Sequence, residues 1–232
     1  GLFREFGPAP DDQPHTLPLL RIEDLNGNYI ALRYDEGGRL IELADCAGRL
    51  YRCDYDARHP GRLAAIHMHA TGDGEAAEGP QEAQGLTLAR YAYDDRGRLI
   101  GVVDRAGDQV RSFTWHDSGP GAGLMASHTL PTGLACHYEW AAFPDHPRVV
   151  RHRTSDDQSW CAEYRLGEEG GETVVTDHLG RVQRWNWNAR AQITTYTDAL
   201  GRRTTLEWNE AGLLTACTQA NAGVWTYAYD DH

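Results

Sequence analysis

The chain has 232 residues, 41% hydrophobic and 24% charged, enough for one large domain or two small ones with an apolar core. Acidic residues outnumber basic ones 34 to 22, for a formal charge of −12, and every basic residue is arginine. The absence of lysine excludes a P-loop phosphate grip, a Schiff-base enzyme and a kinase, and the acidity argues against a nucleic-acid backbone as partner.

No apolar run approaches the ~20 residues of a membrane span, and the opening Gly1-Leu2-Phe3-Arg4-Glu5-Phe6 lacks a signal-peptide core. The segment is therefore expected to be soluble and to need no membrane, with any export directed from outside it. Five cysteines, Cys46, Cys53, Cys136, Cys161 and Cys217, show no CxxC spacing, so neither a disulfide framework nor a zinc knuckle is indicated.

In chain order, residues 1–20 read as a lead-in and 21–232 as a repeat array. Ile22 to Asn28 contains one Asp-x-x-Gly turn. Tyr34-Asp35-Glu36-Gly37-Gly38-Arg39-Leu40 and then Asp45-Cys46-Ala47-Gly48-Arg49 lead to Tyr55-Asp56, 21 residues after Tyr34. The next aromatic, Tyr93, follows after 38 residues, and the excess marks an insertion loop at about 69–86. Tyr93-Asp94, Gly97-Arg98-Leu99 and Asp104 to Gly107 lead to Trp115. Over about 115–173 the repeat is degenerate, with Trp140 and Tyr164 at spacings of 25 and 24. It sharpens again at Gly180-Arg181, Trp187-Asn188, Gly201-Arg202, Trp208-Asn209 and Tyr229-Asp230, where the three aromatics lie 21 apart.

Each unit reads as a two-stranded hairpin. Trp225, Tyr227 and Tyr229 alternate with Val224, Thr226 and Ala228, the two-residue period of a strand. Tyr51, Cys53 and Tyr55, and likewise Trp185 and Trp187, fall in the same phase, so stacked units should align an apolar stripe. Asp-x-x-Gly-Arg is a turn in which aspartate accepts its own backbone amides and glycine supplies the positive φ. A lone hairpin cannot bury an apolar face, so the units must pair edge to edge into a long curling antiparallel sheet. Ala191-Gln192 and Gly212-Leu213 depart from Gly-Arg, which predicts turns of different geometry there.

These residues resemble the Rhs/YD-repeat family, whose signature is Tyr-Asp, then Gly-Arg-Leu, then Asp-x-x-Gly. The family includes bacterial polymorphic toxins, type VI secretion effectors, the C component of insecticidal toxin complexes and animal teneurins. The resemblance implies an all-β sheet that spirals into a hollow shell around a C-terminal effector domain. By this likeness the chain is a non-enzymatic shell fragment continuing beyond His232, part of a protein secreted from a bacterium. Its implied partners are the rest of the shell, the enclosed toxin domain, and a chaperone or secretion spike protein. The Asp-Pro-x-Gly-Leu self-cleavage signature and a PAAR spike domain are not found in the sequence, so neither processing nor docking is assigned.

Other constellations receive structural readings, and no catalytic, metal or cofactor residue is assigned. His67-x-His69 could offer two metal ligands but reads as a strand entering the insertion. His146 and His152 read as loop residues of a proline-bearing stretch. Cys136 and His137 should face opposite sides of a strand, which disfavours a nucleophile and base pair. Asp35, Asp45, Asp56, Asp94, Asp104, Asp177 and Asp198 read as turn caps. The Tyr/Trp stripe reads as the packed layer of the sheet, with a binding surface for carbohydrate or a protein partner as the alternative. The repeat arginines, Arg39, Arg49, Arg62, Arg98, Arg181 and Arg202, are expected to bond carbonyls and carboxylates of the neighbouring unit.

Overall fold

A computed structural model describes residues 1–8, 16–70 and 85–230. Within them the regular structure is entirely β, with nineteen strands and no helix. The predicted insertion lies largely outside the described residues.

The chain divides into two units, Gly1–Phe113 with Leu130–Thr132, and Thr114–Thr129 with Gly133–His232. The first unit contains β1 (Leu2–Phe6), β2 (Leu19–Asp24), β3 (Tyr29–Tyr34), β4 (Leu40–Asp45), β5 (Arg49–Tyr55), β6 (Leu63–Ala70), β7 (Leu86–Tyr93), β8 (Leu99–Asp104) and β9 (Gln109–Trp115), which ends two residues into the second unit. The second contains β10 (Met125–Thr129), β11 (Ala135–Ala141), β12 (Arg148–Thr154), β13 (Ser159–Gly167), β14 (Gly170–Asp177), β15 (Val182–Asn188), β16 (Ile193–Thr197), β17 (Arg203–Trp208), β18 (Leu214–Thr218) and β19 (Val224–Thr226). Inside each unit every strand pairs antiparallel with the next, the plainest route by which short hairpins hide their edges. Strand β1 lies inside the stretch read as a lead-in and pairs with β2 from Leu2↔Asp24 to Phe6↔Leu19.

The alternating sequence makes the sheet two-faced. In β5, Tyr51, Cys53 and Tyr55 are half-buried while Arg52 and Asp54 are exposed, and β15 repeats this with Trp185 and Trp187 against Arg184 and Asn186. The charged face carries cross-strand ladders. Glu42 lies 2.8 Å from Arg33 and 3.6 Å from Arg52, and Glu172 lies 2.6 Å from Arg165 and 3.4 Å from Arg184. Exposed pairs of this kind contribute little each, but they neutralise the face.

Inside each unit the strand contacts among the described residues are all between sequence neighbours, and the core is correspondingly thin. Ala65, Cys136, Ala162 and Val174 are its buried apolar residues, and no large side chain is fully enclosed. Domains ordinarily pack two layers around a core. Here stability has to come from strand pairing and from devices repeated along the edges.

Candidate functional site

The first device is a β-bulge that recurs where a strand meets the repeat aromatic. Register shifts fall at Glu5/Phe6, Arg33/Tyr34, Asp54/Tyr55, Ala92/Tyr93, Glu139/Trp140, Asn186/Trp187 and Glu207/Trp208. In each case the extra residue is on the following strand, as Ile41 is between Leu40 and Glu42. A bulge re-aims side chains and interrupts the ladder.

The aromatic then acts as a clamp. Tyr34 donates its hydroxyl to the Leu19 carbonyl at 2.9 Å and Tyr55 to Leu40 at 2.9 Å. Tyr93 reaches Leu63 at 2.7 Å, Tyr164 reaches Val149 at 3.0 Å and Tyr229 reaches Leu214 at 2.8 Å. The indole N–H groups of Trp140 and Trp208 do the same to Met125 and Ile193, both at 2.8 Å. Six of these seven bonds span 15 residues, and Tyr93 spans 30 across the insertion. Trp187 differs, donating to Thr173 Oγ1 at 3.3 Å while its ring lies against Gly171.

Sequence reasoning took these residues for packing and missed the polar role. The available signal was that Tyr and Trp, but never Phe, occupy the position from Tyr34 to Tyr229. Both carry a donor at the far end of a ring.

The second device is the turn. In the Asp35–Arg39 turn the aspartate Oδ1 accepts the Gly37 and Arg39 amides, and Gly38 stands at φ 76°. The Arg39 guanidinium closes on Asp35 Oδ2 at 2.7 Å. The same closure occurs at Asp45–Arg49, Asp94–Arg98, Asp177–Arg181 and Asp198–Arg202. These arginines therefore bind their own turn, which corrects the expectation of a carboxylate in the neighbouring unit. The reason is local: an Asp whose side chain folds under its own loop offers its second oxygen to the residue four positions on. Arg39 also reaches across, from its Nη1 to the Pro60 carbonyl at 2.8 Å. Arg62 sits in a longer turn in which Asp56 instead accepts the Arg58 and His59 amides.

All five clamped aspartates titrate below the usual carboxylate range. At Asp35 and Asp45 the partner arginine's backbone amide is the main cause. At Asp94, Asp177 and Asp198, partial burial pushes upward and is outweighed by the amide and guanidinium of the paired arginine. Asp104 caps its turn through the Ala106 and Asp108 amides.

The two departures from Gly-Arg keep the standard geometry, contrary to expectation. Ala191 adopts φ 58° where glycine normally stands, and Asn188 Oδ1 accepts the Arg190 and Gln192 amides as an aspartate would. Gln192 replaces arginine by accepting from Asn188 Nδ2 at 3.0 Å. Gly212 stands at φ 83°, with Asn209 capping Leu213. Strand pairing on both sides imposes the turn even where the local residue disfavours it.

The structure places the remaining candidates apart. His67 and His69 lie in β6; His67 contacts Asp54 at 2.9 Å and Thr87 at 3.1 Å. Among the described residues no group of three His, Cys, Asp or Glu side chains is placed to hold a metal ion. Cys136 is buried while His137 is exposed, so they do face opposite ways. His146 is in a loop, but His152 is not: it lies within β12, because alternation resumes at Arg148 once Pro147 is passed. On the aromatic face of the second unit, an open groove of about 920 Å³ is lined by Leu166, Trp185, Trp187 and Ile193 with Asp145 and Arg148.

Comparisons with known proteins agree with this geometry. Residues 187–223 match the family model described as RHS Repeat. Over 190 residues the chain is 28% identical to double-stranded DNA deaminase toxin A of Burkholderia cenocepacia (strain H111), covering 82% of this chain and 12% of that protein. Over 170 residues it is 32% identical to toxin protein Tse5 of Pseudomonas aeruginosa, covering 69% of this chain and 12% of that one. The chain thus spans about an eighth of the length of these relatives. Among solved structures, TcdB2-TccC3 without its hypervariable C-terminal region superposes with a TM-score of 0.50 at 13% identity, covering 92% of this chain and 11% of that one, a likeness of fold alone. The repeat, its phased turns and these relatives together make the chain a member of the Rhs-repeat family.

Proposed function

We propose that this chain is a wall segment of an Rhs-type secreted bacterial toxin, non-catalytic itself, whose sheet continues into a hollow shell. That shell would enclose and protect a C-terminal effector domain for interbacterial delivery. Its partners would be the rest of the shell and the enclosed domain, with a chaperone or secretion spike protein aiding assembly or export. The observation that carries this reading is the two-faced sheet, pinned repeatedly by Tyr or Trp donors and by closed turns. A wall needs strand pairing and repeated edge locks more than a local core.

Electron microscopy of the full-length protein tests it. The expected result is these strands forming part of a continuous wall around enclosed density; a separate compact barrel overturns it. The groove lined by Trp185 and Trp187 favours a second reading, a glycan- or protein-binding surface. Glycan-array binding by the folded protein that is lost in Trp187→Ala would support that alternative.

A further inference from the structure

The second unit contains a column of rings that the repeat pattern does not call for. On four consecutive strands, β10 to β13, His128, Tyr138, His152 and Trp160 stack across the aromatic face. Ring centroids are 5.8 Å apart for His128 and Tyr138, 5.2 Å for Tyr138 and His152, and 5.4 Å for His152 and Trp160. Register places His152 directly opposite both Tyr138 and Trp160. The buried Cys136 and Ala162 lie beside the column on β11 and β13. Tyr138 Oη is 3.1 Å from His128 Nδ1.

We propose that this column is an acid-sensitive seam: in mildly acidic surroundings, protonation of His152 loosens the pairing of β10 to β13, while the Asp–Arg turns of the same unit stay closed.

The groups around His152 set the direction. On β11 it faces Tyr138, with Cys136 alongside and His137 on the reverse side; on β13 it faces Trp160, and His128 follows on β10. On its own strand the nearest charge of this face is Arg148, already held by Asp145 at 2.5 Å. Asp177, opposite Trp160, is committed to Arg181. No carboxylate is among the groups acting on His152. Burial, then the charges of His128 and His137, hold its pKa below the ordinary histidine value.

An imidazolium at His152 therefore meets half-buried ring surface, with no carboxylate among the groups acting on it. The sign follows from linkage. A histidine whose pKa is lower folded than unfolded binds its proton more readily in the unfolded chain, so its stabilising effect is complete above about pH 6.5 and is lost as pH falls toward the folded value. The turn carboxylates titrate only in the acid range, so the two devices respond in separate windows.

The test is hydrogen exchange and thermal unfolding of the full chain at pH 7.5 and 5.5. Expected at pH 5.5, after correction for intrinsic rates, is exchange at least tenfold faster in β10–β13 and less than twofold faster in β15–β18, with a fall in Tm at least halved in His152→Gln. Uniform acceleration, or an equal fall in Tm in wild type and His152→Gln, overturns the proposal. Should His152→Gln not fold, the wild-type ring is titrated by NMR. An apparent pKa below about 6.5 sustains the seam and one at or above it refutes it.

Discussion

The stretch from Trp187 to Tyr229 and the stretch from Trp115 to Tyr164 differ in repeat spacing yet share a clamp. The first keeps a spacing of 21 with recognisable turns, and the second stretches to 25 and 24 and loses its Gly-Arg pairs. Yet Trp140 and Tyr164 donate across 15 residues to Met125 and Val149, as Trp208 and Tyr229 donate to Ile193 and Leu214. The bulge before Trp140 matches the one before Trp208. Some parts of the unit are therefore replaceable and others are not. Turns tolerate lengthening and changes of residue, because they lie at the exposed rim. The clamp stays, because a carbonyl released by the bulge needs a donor and only a long ring with a polar end reaches it.

The largest effect is expected between the two stretches, where β14 meets Trp187. A Cβ at Gly170 would lie 2.0 Å from the Trp187 carbonyl oxygen, at a backbone φ of 137° that only glycine holds readily. Gly170→Ala should cost about 3 kcal/mol or more, read as a shift in urea midpoint. Next is the clamp itself. Tyr164→Phe in the divergent stretch should lose about 1–2 kcal/mol by leaving the Val149 carbonyl without its donor. A similar loss in Trp208→Phe would show that one clamp serves both stretches, whereas a neutral Tyr164→Phe would show that the divergent stretch is held by packing instead.

A gentler contrast separates clamped from unclamped turns by pH. Lowered carboxyl pKa values mean that each Asp–Arg closure stabilises fully above the unfolded value of about 3.9 and is lost as pH falls through the folded value. Acid titration of Asp198→Asn should therefore show a shallower loss of stability below about pH 4 than wild type. The smallest effect is expected at Ala191, whose φ of 58° glycine adopts freely. Ala191→Gly should raise stability by about 0.5–1 kcal/mol, the reverse of the usual effect of adding glycine.

How far the sequence could be read depended on whether a feature is local. The period, the strand phase at Trp185 and Trp187, and the aspartate turns follow from two-residue alternation and from side chains that bond their own backbone. All three were legible. The strand position of His152 is hidden in the sequence because two prolines just upstream, Pro144 and Pro147, mask the strand that begins at Arg148. The Ala191 turn departs from its residue's propensity because that propensity is weaker than the pairing of two strands.

An all-β repeat of two-faced hairpins and its family likeness are legible in the residues alone, since period and turn chemistry are written within twenty-odd residues. Only the tertiary structure decided that the repeat aromatics are hydrogen-bonding clamps, that each turn arginine closes on its own aspartate, and that four rings from four strands form one column. Those facts depend on register between strands, and a bulge that shifts pairing by one residue leaves no mark in the spacing of the residues it brings together.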